Sequence, residues 1–237
     1  METFKKEMTG RYYMSRESQL TKNQWDDLLT SVQQLCRVYW DPSEELSRQI
    51  LKESFLQPFK AVALLIETHE DAELVELRTL LGGFSESESF LDYLEEGYVR
   101  LFINDRGGIT APLYASCYED EGNPQLMGQA AVGMLKRISD LNIRLDEDIH
   151  EPPDHLAIQL EVLYFILTQA NTLGRPKQLA AAAEFVQACM RPWVEAFYAR
   201  LTKETRCRFY PLVTRVLLSI LQMVSALPES CTRHRSQ

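Results

Sequence analysis

Hydrophobic positions recur at helical spacing through almost the whole chain. Trp25, Leu28, Leu29, Val32, Leu35, Cys36 and Tyr39 fall on one face of a helix, and Thr21 with Gln24 forms a capping box ahead of them. The tetrapeptide DPSE at residues 41–44 restarts the chain, with Asp41 expected as N-cap and Pro42 as first helical residue. A short buried helix is expected around residues 61–67, and another over 71–81 that stops at Gly82-Gly83. Ser85 and Glu88 are expected to cap the next, where Leu91, Leu94, Tyr98, Leu101 and Phe102 make one stripe.

Periodicity then lapses over residues 104–124, which carry glycine and proline breakers yet also Leu113, Tyr114, Cys117 and Tyr118. A segment of that length without a helical pattern is functional or packed by its own side chains. Helix resumes over residues 125–139, and an acidic connection, LNIRLDEDIHEPP, separates it from a run that is apolar on more than one face. Such a helix belongs in the middle of a bundle, and Gly174 is expected to end it. Two further helical segments, residues 176–201 and 204–227, contain Pro192 and Pro211, which should kink or divide them. No period-2 strand of useful length appears. The expected fold is all-α: a bundle of roughly ten helices in one globular unit. It has an N-terminal helical half (1–148) and a C-terminal half (149–237) joined by a proline-rich hinge.

Composition narrows the function classes. A formal net charge of −9 argues against nucleic acid, because binding phosphates needs a basic surface. The charge is uneven: residues 175–237 carry ten Lys and Arg against four Asp and Glu, which leaves −15 on the first 174 residues. Residues 67–96 hold ten acids and one base, Arg78, which reads as a solvated acidic face or as a surface that steers a cationic partner. The five cysteines show no C-x-x-C pair, so zinc and thioredoxin-type spacing is lacking and reduced thiols in a cytoplasm fit best. The N-terminus shows no apolar signal region, and the most apolar segment, residues 212–227, is short for a membrane span and contains Arg215. A cytoplasmic protein with no direct membrane insertion is expected.

No nucleophile elbow, phosphate loop, zinc-binding helix or dinucleotide fingerprint is present. His150 and His155 lie five apart, not at the spacing of a helical metal pair, and no metal is expected. The concentrated chemistry is Glu151-Pro152-Pro153-Asp154-His155, directly ahead of the central helix. Read as helix punctuation, Asp154 is an N-cap, the prolines stiffen the approach and Glu151 suits the positive helix end. A histidine that titrates near neutrality is more than a cap requires.

That pentapeptide resembles the E-P-x-D-H signature of the TorD/DmsD-type, NarJ-related chaperones, all-helical cytoplasmic proteins that mature molybdenum-cofactor oxidoreductases before twin-arginine export. Two further blocks are similar to that family. YVRLFI at 98–103 followed by APLYASCY at 111–118 resembles Y-x-R-L-F then P-x-Y-E-S-x-Y, with Ala115 in place of the acid. FVQACMRPWVEAFY at 185–198 resembles F-x-x-x-H-x-x-x-W, keeping Trp193 but placing Cys189 where histidine is common. The resemblance covers roughly residues 91–221. It implies a non-catalytic chaperone that binds the twin-arginine signal peptide, or the cofactor-free body, of a molybdopterin oxidoreductase precursor and holds it back from export. Asp154 would pair with an arginine, supported by Glu151. Tyr98, Phe102, Tyr114, Tyr118 and Trp193 would supply contact area, and Pro152 and His155 would hold the hinge or tune the site. The same aromatics at helical spacing also fit a buried core. No cofactor of its own is implied. Weak GTP binding or hydrolysis, and a plain helical scaffold, remain alternatives, and a monomer with a domain-swapped dimer is the expected assembly.

Overall fold

The computed structural model describes residues 20–66, 72–104, 108–119, 126–173 and 176–232. Among them, regular structure is helical: α1 (Lys22–Val38), α2 (Glu44–Ile50), α3 (Gln57–Leu65), α4 (Ala72–Gly82), α5 (Ser87–Tyr98), α6 (Gln129–Asp140), α7 (Leu156–Leu173), α8 (Pro176–Phe185), α9 (Arg191–Leu201) and α10 (Phe209–Thr232). Two π-helical turns, Val99–Ile103 after α5 and Val186–Met190 before α9, interrupt the α pattern.

The expected capping box opens α1: Thr21 Oγ1 accepts from Gln24 N–H, and Gln24 Oε1 accepts from Thr21 N–H. The restart at α2 falls two residues later than expected. Ser43, not Asp41, is the N-cap and accepts from Leu46 N–H at 3.2 Å. Asp41 lies instead close enough to the Tyr98 phenol to raise its pKa. Glu86 rather than Ser85 precedes α5, and no side chain caps it. The short helix expected near 61–67 begins earlier, at Gln57, with Pro58 in its first turn; its expected end at Glu67 lies outside the described residues, as does Gly174. Pro192 does mark a division, standing in the first turn of α9 behind the second π turn. Pro211 divides nothing, because it sits in the first turn of α10, where its missing N–H has no partner to lose.

α7 is the central helix, as its all-round apolar pattern requires: it packs on α1 along one side and on α8 along another. α10 lies against α8, α4 and α9, and α2 against α5. One continuous core joins Leu28 and Leu35 of α1, Leu77 of α4, Leu160 and Leu163 of α7, Phe197 of α9 and Leu217 of α10. Residues 209–227 of α10 are by length and composition apolar enough to cross a membrane, a longer run than residues 212–227 alone suggest. Most of that run is buried against the bundle, and its Arg215 pairs with Glu73 of α4 at 3.3 Å. Arg208 likewise pairs with Glu76. Two acids of the 67–96 stretch are thus held by the basic C-terminal segment rather than left wholly to solvent.

Candidate functional site

The chain from 111 to 118 lies along the approach to α7 and is tied to it by backbone hydrogen bonds. Leu156 N–H donates to Leu113 C=O at 2.8 Å, and Ala115 N–H donates to Asp154 C=O at 3.2 Å. Tyr114 and His155 thereby form an isolated antiparallel bridge. This pairing decides what Asp154 does. Its Oδ2 accepts from Ser116 N–H at 2.8 Å, across the bridge, instead of capping α7. The residue just ahead of α7 is His155, whose Nδ1 accepts from Ala157 N–H at 3.3 Å. Asp154 is fully buried, and its Oδ1 has no hydrogen-bond partner.

His155 is 2% exposed, stacked on Trp40 (centroids 5.1 Å apart, planes at 21°) and met edge-on by Tyr114 at 5.3 Å. Burial lowers its pKa from 6.5 to about 4, although the carboxylates of Glu151, Asp154 and Asp41 pull the other way. The imidazole is therefore neutral at pH 7, and the expectation that it titrates near neutrality is corrected by its burial between two aromatic rings. Tyr114 donates its hydroxyl to Glu151 Oε2 at 2.6 Å, and the Tyr98 phenol lies within electrostatic reach of Asp41 and Glu151. Burial, then these carboxylates, push both phenols above the ordinary tyrosine range, so both stay protonated donors. Among the described residues, no lysine or arginine forms an ion pair with Asp41, Glu151 or Asp154.

Glu151, Asp154, His155, Tyr114 and Tyr98 thus come together, with Pro152 accepting from His155 N–H at 3.0 Å. Phe102 does not join them: it is 3% exposed and packs among Tyr98, Phe197 and Tyr210 in the core. Tyr118 and Trp193 stand apart on a second feature, a cleft of about 430 Å³ walled by α6, the 115–119 turn, α7, the second π turn and α9. The hydroxyl of Tyr118 donates to Pro112 C=O at 2.9 Å, and Arg200 lies 4.3 Å above its ring. Trp193 Nε1–H donates to Gln159 Oε1 at 3.0 Å and to Cys189 C=O at 3.1 Å. Ala115 and Cys189, the two departures from the family pattern, both line this cleft.

Sequence reasoning missed three residues. Trp40 and Asp41 reach the cluster from the end of α1, more than a hundred positions away, and no local pattern marks them. Gln159 had a signal: it is the first polar side chain inside an otherwise apolar helical run, and a buried amide needs a partner.

Comparison with known proteins bears on the family and the fold. The family described as nitrate reductase delta subunit matches residues 66–199. The chaperone protein TorD of Vibrio cholerae serotype O1 (strain ATCC 39541) is 28% identical over 171 residues, 62% of this chain and 76% of that protein. TorD of Aliivibrio salmonicida is 24% identical over 201 residues, 81% of this chain and 93% of its own. A crystal structure from Archaeoglobus fulgidus, of a protein assigned to redox enzyme maturation, superposes with a TM-score of 0.50 at 18% identity. It covers 87% of this chain and 98% of that one, a likeness of fold. The chain belongs to the nitrate reductase delta subunit family.

Proposed function

We propose that this protein is a cytoplasmic, non-catalytic maturation chaperone. It binds the twin-arginine signal peptide of one molybdopterin oxidoreductase precursor and holds it until the cofactor is in place. The matched relatives are named chaperones, which supports the maturation role. The observation that carries peptide binding is the buried Asp154 carboxylate with its unpartnered Oδ1; half-buried Glu151 and Asp41 act with it on His155, and among the described residues no lysine or arginine forms an ion pair with any of the three. An uncompensated buried carboxylate is costly, and a guanidinium is the partner that satisfies it with charge-assisted, directional bonds. Glu151 makes the first contact by exchanging the Tyr114 hydroxyl for an arginine, and Asp154 takes the bond beneath it.

Asp154→Asn tests this, because the amide oxygen still accepts from Ser116 N–H while the charge is lost. Anisotropy of a labelled twin-arginine leader should show affinity falling by at least about tenfold. The loss should vanish when both arginines of the leader are replaced by glutamine. Undiminished affinity of Asp154→Asn, or wild type that ignores the arginines, rejects the reading. GTP turnover above background in the same preparation would favour a nucleotide hydrolase instead.

A further inference from the structure

The cleft beside Tyr118 and Trp193 is separate from the Glu151–Asp154 cluster and has a different chemistry. Its walls are mostly apolar, with Ala130, Met134, Pro192 and the Trp193 ring among them, while Glu119, Gln129 and Arg137 stand at polar positions of the lining. Its volume, about 430 Å³, lies within the range of small-ligand sites. Two features point to an occupant. Gln159 is fully buried and lines the cleft. Its Oε1 is taken by Trp193, but its Nε2 has no hydrogen-bond partner, so one donor is left at the wall. The second is Gly133, in the middle of α6 and lining the same cleft, where an added Cβ would meet nothing within 4 Å. Glycine at a helix interior is unfavourable relative to alanine, and here it leaves that side of the cleft open. The π turn Val186–Met190, a local departure from α geometry of the kind often found at functional sites, supplies Ala188 and Cys189 to the far wall.

We propose that the cleft binds an apolar segment of the client polypeptide: one or more bulky aliphatic side chains fill it, and a backbone carbonyl of that segment accepts from Gln159 Nε2. This deepens the peptide-binding reading and rests on it for the source of the segment. It assigns the apolar stretch after the arginines to the cleft, and the arginines to the Asp154 cluster. Arg137 and Glu119 also reach the cleft but are engaged by Glu184 and by Gln129 N–H, so the unengaged Gln159 Nε2 suits a peptide of variable aliphatic sequence by reading its main chain rather than a side chain.

Gly133→Leu is the decisive variant. It fills the cleft from a position with free space and favours helix, so the fold should be retained or strengthened. Affinity for the intact leader should fall about tenfold. With a leader whose arginines are kept but whose aliphatic residues are replaced by serine, wild type and Gly133→Leu should bind alike. Equal affinity of both proteins for the intact leader overturns the proposal, as does an undiminished gap with the serine leader. A second measurement separates this from the arginine reading. Cys189 is the one half-exposed cysteine among those described. In a Cys231→Ser background, millimolar acetyl-Leu-Leu-Leu-amide should slow its alkylation by iodoacetamide, and the triserine peptide should not. Protection by the leucine peptide with no binding of any leader would sink the twin-arginine reading and leave the cleft standing. Leader binding without protection would sink the cleft alone.

Discussion

At the scale of single residues, one histidine sets a pH dependence opposite to that of a salt-bridged one. His155 is neutral in the fold, with a pKa lowered by burial to about 4 from 6.5. Between those values the unfolded chain binds a proton that the native ring refuses, so the contribution is fully present above pH 6.5 and is lost as pH falls toward 4. The ceiling is roughly 3 kcal/mol, and the loss between pH 7 and pH 5 should be roughly 2 kcal/mol. Urea unfolding of wild type and His155→Gln at both pH values checks this by difference, which removes the shared titration of the carboxylates. A variant with the same pH slope as wild type would show that the ring is not held neutral. Asp154 teaches a related lesson. A cap and a buried cross-strand acceptor look the same in sequence, and only the backbone pairing of Leu113 and Ala115 with the chain at 154–156 separates them.

At the scale of elements, what could be read from sequence was what local spacing dictates. The α1 start at Thr21, the stripe through Leu94 and Leu101, and the central place of α7 follow from helical periodicity and capping chemistry. The glycine stop after residue 81 and the break at Pro192 were legible for the same reason. The start of α2 shifted as Asp41 lies instead within electrostatic reach of the Tyr98 phenol, whereas nothing in the structure explains why Ser85 does not cap α5. The site was legible in its E-P-P-D-H core and invisible in Trp40 and Asp41, since nothing near them in sequence announces a contact to residue 155 or 98. Close approach of helices is equally hidden. Gly97 at the end of α5 faces α10 and the residues before it, and a Cβ there would overlap Cys207 Sγ and crowd Tyr210. Gly97→Ala should therefore destabilise by about 1–3 kcal/mol, against the small gain that alanine brings to an open helix. Combining it with Cys207→Ala should recover part of the loss in thermal melts. A Gly97→Ala protein as stable as wild type would mean that α5 and α10 are not held this closely.

At the scale of the whole molecule, the division at 148/149 meets a fold whose contacts cross it repeatedly. α1 packs on α7 and α4 on α10, with Arg208 and Arg215 reaching back to Glu76 and Glu73. The bridge between Tyr114 and His155 crosses it again, beside the prolines. Two acids of the first part are thus paired with bases of the second in solvent-exposed ion pairs that add little stability, and unpaired acids of the first part are left to steer a basic leader. Exchange of C-terminal parts between two chains would remake all of these contacts with a partner copy, so a swapped dimer should hold nearly the same helix contacts as two monomers. The obstacle is kinetic: opening α1 from α7 and α4 from α10 dismantles the core, which makes interconversion as slow as global unfolding. Refolding at high protein concentration should then yield a dimer by size exclusion with light scattering. After isolation, that dimer should persist on dilution and relax to monomer only when mild denaturant speeds unfolding. A chain that refolds as monomer at every concentration rejects the exchange. A dimer that dissociates at once on dilution points to surface association rather than swapped halves.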